Sequence, residues 1–346
     1  MGGVRSTPRD SRKGTTRMTD EERLRKIRQI QLKRKKKKRR KVIVTVIMAI
    51  ILVLVILFGA FFMLFEHYYS KMNFLNVAGD GNTDYVAPTS GVYNVLLIGV
   101  DSREDQVKGN SDVMILLSIN HNTKKIHMMS FMRDLYADID GYGVRKLNAA
   151  NNLGGPGLLM STIEKNYQVN IDNYAAVDFF DMASIIDTLG GVDIDVQDNE
   201  VQYLNMYLDE MCGLQGLNAS DYYISSAGQT HLNGLQAVAY SRIRYAGNAD
   251  FQRTQRQRDV LAQLMGKLTG ASLTQLSQYA DEILPHVTHD LSQTDLLSQL
   301  AAVTSYKNYE IVQERVPYDN HYTSENEILI PDWDYTLPKI QEDLNS

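Results

Sequence analysis

The 346-residue sequence contains a single cysteine, Cys212. No intramolecular disulfide can form, and thiolate metal clusters are excluded. No neighbour of Cys212 suggests an activated thiol. Histidines and cysteines at zinc-site spacing are absent, as is the G-x-x-x-x-G-K-[ST] loop that cradles nucleotide phosphates. Internal repeats and low-complexity segments are lacking from the folded portion. Basic residues are also scarce over most of the chain. Residues 1–41 hold 18 of the 36 lysines and arginines but only 4 of the 41 acids, leaving 18 bases against 37 acids in residues 42–346.

What is present begins with that basic tail, which ends in KRKKKKRRK and has too little apolar surface to fold alone. It is expected to be disordered. Val42–Phe65 follows, 24 residues without a charge. At about 1.5 Å per residue such a helix reaches roughly 36 Å, enough to cross a bilayer with some tilt. It is too long for a cleaved signal peptide and lacks a small-x-small closing site. The charge bias predicts a single-pass signal anchor with a cytoplasmic N-terminus and an extracytoplasmic body. That topology accounts for the basic run without nucleic-acid binding. An outside domain of about 280 residues, without a disulfide, must be held by its core.

Residues 66–91 read as a stalk, and residues 92–346 as one α/β domain whose mixed central sheet is flanked by helices. Near-continuous apolar runs at 94–100, 112–119 and 125–131 predict strands buried on both faces. Residues 146–152 read as polar loop, and Gly154-Gly155-Pro156 opens a helix to about Tyr167. A strand at 174–178, a helix at 179–189 and a strand at 192–196 follow. Residues 197–228 have the least regular pattern and suggest a lid or insertion. Residues 231–240 read as helix. Further helices are expected at 273–283 and 293–305, with a strand near 309–316.

In this acidic body, Ser241–Arg258 (SRIRYAGNADFQRTQRQR) carries five arginines, Arg242, Arg244, Arg253, Arg256 and Arg258, and one acid, Asp250. Guanidinium suits planar, bidentate contact with phosphate oxygens. Asp250 reads as the N-cap of a helix with Val260, Leu261, Leu264 and Leu268 inward, and Arg253, Arg256 and Gln257 share one of its faces. Cations in the first turns oppose the helix dipole unless an anion joins them. An ordinary solvated helix face is the plainer alternative. Upstream, Asp101, Asp112, Arg133 and Asp134 fall at strand borders, where open α/β sheets place ligands. With Arg103, which follows Asp101, two of these acids and two arginines match a hard cation bridging to phosphate. Taken singly, Asp101 and Asp112 could instead cap turns, and Arg133–Asp134 could be a structural ion pair. Lys146 and Asn148 could be loop polarity.

The segments GVDSR, NSDVMILLSIN, SFMRD, KLNAANNLGGP and YSRIRYAGNADFQRTQRQR, in this order, resemble the LytR-CpsA-Psr family of cell-wall glycopolymer ligases, over about Val92–Leu268. The resemblance implies a Gram-positive envelope phosphotransferase. Such an enzyme moves a glycopolymer such as teichoic acid or capsule, with one phosphate, from a polyprenyl-pyrophosphate carrier to a peptidoglycan sugar hydroxyl. It implies magnesium, with manganese as an alternative ion, on Asp101 and Asp112. Arg103, Arg133, Arg242, Arg244, Arg253 and Gln257 would surround the pyrophosphate. Asp250 or Asp134 would act as base or orient an arginine, and the prenyl chain would lie between helices and sheet. Met132, Leu135, Asn110 and Val113 depart from the family pattern, and Asn110 removes one phosphate contact. The rival readings are a lipid-pyrophosphate hydrolase and a non-enzymatic membrane regulator.

Overall fold

A computed structural model describes residues 20–77, 86–101, 107, 109–246 and 249–346. Arg103 lies outside the described residues. The chain divides into two units, Met1–Glu66 and His67–Ser346. The first helix, α1 (Asp20–Tyr69), already begins inside the basic tail, so residues 20–41 are helical where disorder was expected. Lysine and arginine are good helix formers, and an apolar helix on their C-terminal side propagates without a new nucleation step. Within α1, Ile50–Tyr69 is long and apolar enough to cross a membrane.

The second unit opens with β1 (Asn73–Phe74), followed by β2 (Val92–Asp101), β3 (Asn110–Asn120), β4 (Lys125–Phe131), β5 (Tyr136–Ile139) and β6 (Gly143–Lys146). Next come α2 (Ala149–Tyr167), β7 (Asn173–Asp178), α3 (Phe179–Thr188), β8 (Val192–Val196), α4 (Val201–Gln215), β9 (Gly228–Leu232) and α5 (Gly234–Ser241). The chain closes with α6 (Ala249–Gly270), α7 (Leu273–Ile283), β10 (Thr288–His289), α8 (Gln293–Tyr306), β11 (Glu310–Val316), β12 (Tyr322–Glu325), β13 (Ile328–Pro331) and α9 (Trp333–Asn345). Seven strands form one mixed sheet in the order β1-β10-β7-β2-β3-β4-β11. The pairs β2–β7 and β4–β11 are parallel, whereas β2–β3–β4 is an antiparallel meander.

The two faces of the sheet pack differently. Leu96, Ile98 and Val100 alternate onto one face, where with Met114, Leu116 and Phe131 they join α2 and α9 in one core. The other large cluster ties α3, β8, α4, β9, α5 and α6 together. On this second sheet face the strand register lines up Val95, Leu97, Gly99, Val113, Leu117, Ala175 and Val177, all only half-buried.

Several expectations need correction. Residues 66–91 are not simply a stalk: Asn73 and Phe74 pair with Thr288 and His289, and Val77 is buried in the core. Residues 197–228 are not an irregular lid, because α4 fills half of them. Its Leu204, Tyr207, Leu208 and Met211 recur at helical spacing and are buried. The segment 231–240 starts as strand, with β9 pairing β8, and becomes helix only after the capping box of Asn233 and Gln236. The loop at 146–152 is mostly helix. A short first turn from Ala149 meets the main helix at a kink, where Gly155 takes φ +72° ahead of Pro156.

One buried ion pair holds the arginine segment in place. Arg256 donates from Nε (2.8 Å) and Nη2 (2.6 Å) to Glu200 Oε1, and also bonds the carbonyls of Ile243 and Ala246. Although it shares a helix face with Arg253 and Gln257 by spacing, Arg256 points into protein and fastens the α5–α6 loop to the start of α4. Glu200→Ala would leave that guanidinium buried and uncompensated, at a cost of about 3–5 kcal/mol. Chemical denaturation of the detergent-solubilised chain should show the loss, and Glu200→Leu with Arg256→Met should recover most of it.

Candidate functional site

The site is built around a bulge in β3. Gly99 pairs with Val113 and Val100 with Ser111, which leaves Asp112 as the extra residue. A bulge of this kind re-aims one side chain. Gly99 is required by the close approach, since a Cβ there would lie 2.8 Å from Val113 Cβ. The freed Asp112 carboxylate forks between two arginines, accepting from Arg133 Nη1 at 3.1 Å and Arg244 Nη2 at 3.4 Å. One residue thus ties β3, the end of β4 and the α5–α6 loop together.

Asp112, Val113, Phe179, Tyr207, Ser241, Arg242, Arg244, Arg253 and Gln257 line a single pocket. Five of the residues expected at the site therefore converge: Asp112, Arg242, Arg244, Arg253 and Gln257. Arg133 joins through Asp112. Asp250 joins through Arg253 (3.2 Å) and Arg244 (3.8 Å). It sits in the first turn of α6 rather than serving as its N-cap, because the helix already begins at Ala249. Asp134 stands behind Arg133, 3.5 Å from its Nε and 3.0 Å from Lys146 Nζ. Asp101 ends β2, exposed; its pairing with Asn110 puts it on the same sheet face as Gly99 and Val113, but it does not line the pocket.

The charges are unevenly compensated. Arg133, Arg242, Arg244 and Arg253 share the site with Asp112 and Asp250, and Asp134 stands 3.5 Å behind Arg133. Arg242 also has Glu210 at 3.1 Å, at the more exposed outer edge. Arg253 is only 3 % exposed, and its Nε has no hydrogen-bond partner. Burial pushes Arg253 down to about 10, against the pull of Asp250, and the nearby Arg133 and Arg244 push it the same way. Arg133 experiences the opposite balance: burial lowers it, but Asp112, Asp134 and Asp250 outweigh that and raise it above the ordinary value. Arg253 is thus a poorly compensated guanidinium that an entering anion would relieve.

Sequence reasoning missed several participants. Phe179 and Tyr207 sandwich Arg242, with its guanidinium carbon 4.7 Å and 5.0 Å from their ring centres. The helical spacing of Leu204, Leu208 and Met211 could have revealed α4 and hence Tyr207. Asn151, in the KLNAANN motif, donates to the carbonyls of Val107 (2.8 Å) and Gly109 (2.9 Å) and so straps the β2–β3 connection to α2. Lys146 bridges Asp134 and Glu327 and is more than loop polarity. Among the described residues no group of three or more histidines, cysteines or carboxylates could hold a metal ion.

The chain is 28% identical over 239 residues to the regulatory protein MsrR of Staphylococcus aureus, with 68% of each chain covered. It is 32% identical over 223 residues to a polyisoprenyl-teichoic acid–peptidoglycan teichoic acid transferase, TagU, of Oceanobacillus iheyensis, covering 62% of this chain and 64% of that one. The crystal structure of Bacillus subtilis TagV is similar in fold, with a TM-score of 0.58 at 26% identity over 74% of this chain and 97% of that one. Residues 68–344 match the LytR_cpsA_psr family. With nearly the whole second unit inside that match, the chain belongs to the LytR-CpsA-Psr family.

Proposed function

We propose that this protein transfers a glycopolymer, with one phosphate, from a polyprenyl-pyrophosphate carrier to a peptidoglycan sugar hydroxyl during cell-wall assembly. The observation that carries the reading is an arginine cluster centred on buried, poorly compensated Arg253 and opening beside a half-buried apolar sheet face. A diphosphate diester carries about two negative charges, which several guanidinium groups can contact at once. The row formed by Val95, Leu97, Val113 and Leu117 suits the prenyl chain. The similarity to a TagU transferase supports the same substrate class. By the positive-inside rule the basic tail lies in the cytoplasm and the domain outside, where peptidoglycan is.

In this reading Arg244, Arg253 and Gln257 grip the diphosphate from the pocket, Arg242 approaches from the aromatic sandwich, and Arg133 completes the cradle from β4. Arg103 would add a contact from the β2–β3 connection. The acceptor hydroxyl oxygen attacks the phosphorus that bears the polymer. The bond from that phosphorus to the bridging oxygen breaks, and polyprenyl phosphate leaves. Asp250 takes the hydroxyl proton, while Asp134 orients Arg133. A loose transition state asks chiefly for alignment and charge neutralisation, which fixed guanidinium groups provide.

Asp101 at the end of β2 and Asp112 at the β3 bulge belong to neighbouring strands, and two carboxylates with phosphate and water oxygens are a donor set suited to magnesium or manganese. That ion would supply Lewis-acid neutralisation of the diphosphate when bound. Asp112 would then give up one of its arginine contacts, leaving that arginine to phosphate.

Inorganic pyrophosphate should raise the melting temperature of the purified chain by several degrees at saturating concentration. Arg253→Met should melt no lower than wild type without ligand, since it removes a destabilised charge, and should lose most of that rise. In an assay with lipid-linked polymer and peptidoglycan, Arg244→Ala or Asp112→Ala should lower transfer by about 10²–10³-fold, with circular dichroism unchanged. Undiminished transfer would refute the assigned roles. Release of free polymer in the presence of acceptor would favour hydrolysis. Chelation by EDTA should abolish transfer, and added magnesium should restore it.

A further inference from the structure

The mouth of the pocket carries an aromatic platform that the diphosphate chemistry does not use. Tyr245, the residue after Arg244, is 65 % exposed. Its ring meets that of Tyr203, with centres 5.7 Å apart and planes tilted by 40°. Tyr203 packs against the core cluster that contains α4, so it gives Tyr245 a fixed support. Tyr203 and Tyr207 are four residues apart on α4 and face the same side. Tyr207 lines the pocket beside Arg242. Tyr207, Tyr203 and Tyr245 therefore run outward from the pocket lining in order, with the exposed Met206 on the same helix.

An exposed ring held against a second ring offers a broad apolar face with polar edges. The ligand that matches has one C–H face and a rim of hydroxyls. Glu210, about half exposed and paired with Arg242, stands nearby as an acceptor for those hydroxyls. A prenyl chain would leave the phenol edges unmatched, and a further phosphate would meet the Glu210 carboxylate. The geometry points to Tyr203 and Tyr245 as a stacking subsite for a pyranose ring next to the diphosphate. This inference rests on the transferase reading above and adds a sugar contact to it. The ring is either the sugar joined to the diphosphate or the acceptor sugar of the glycan strand.

The test uses the full chain in detergent as wild type, Tyr245→Ala and Tyr245→Phe. The probes are inorganic pyrophosphate, polyprenyl pyrophosphate, the same lipid bearing one N-acetylhexosamine, and soluble glycan strands as acceptor. All three proteins should bind pyrophosphate and the bare lipid equally. If the platform holds the donor sugar, wild type and Tyr245→Phe should bind the sugar-bearing lipid about tenfold more tightly than Tyr245→Ala does. If it holds the acceptor sugar, the tenfold penalty of Tyr245→Ala should appear in KM for glycan strands instead, again rescued by phenylalanine. The subsite is overturned if neither parameter moves, if phenylalanine fails like alanine, or if pyrophosphate binding falls in parallel. Failure of wild type to bind pyrophosphate or the lipid at all would overturn the transferase reading, and the subsite with it.

Discussion

Asp112 divides one carboxylate between Arg133 and Arg244, and the site depends on that fork. Without a shared anion, guanidinium groups from two distant segments would repel one another across a half-buried space of low dielectric. One carboxylate can bring them together but cannot neutralise them both. Arg253 remains buried beside them with Asp250 as its ion-pair partner. The cluster is therefore assembled while Arg253 stays poorly compensated, an arrangement suited to an anionic ligand.

Rigidity around the fork comes from contacts that touch no ligand. The Glu200–Arg256 pair fixes the loop that carries Arg242 and Arg244, and Asn151 fixes the connection beyond Asp101. The β-bulge frees the Asp112 side chain from the strand's alternation. Each feature spends local regularity on placement, since phosphoryl transfer rewards alignment over covalent participation. The sheet divides the labour as well: one face is closed by α2 and α9, and the other keeps a half-buried apolar row beside the pocket.

Much of the architecture could be read from the chain. The apolar run at Lys125–Phe131 and the alternation at Val192–Val196 are the strands observed. Their periodicity is a local property and needs no partner to be recognised. The failures were local patterns overruled by context. Residues 197–228 look polar because Asn205, Asp209, Glu210 and Gly213 interrupt α4, yet its buried stripe is intact. Asn73 and Phe74 carry too short a pattern to read as strand, and become one only because β10 presents a free edge.

The sequence by itself determined the apolar span, the imbalance of charge on either side of it, and the residue types able to meet a diphosphate. Residue type and spacing alone could not rank the arginines. Arg253 and Arg256 lie three apart on one helix, yet one lines the pocket and the other is spent on Glu200. That choice belonged to tertiary structure, because a guanidinium's role is set by whichever carboxylate the fold brings within hydrogen-bonding reach. Glu200, 56 residues away in the chain, has no local signature that pairs it with Arg256.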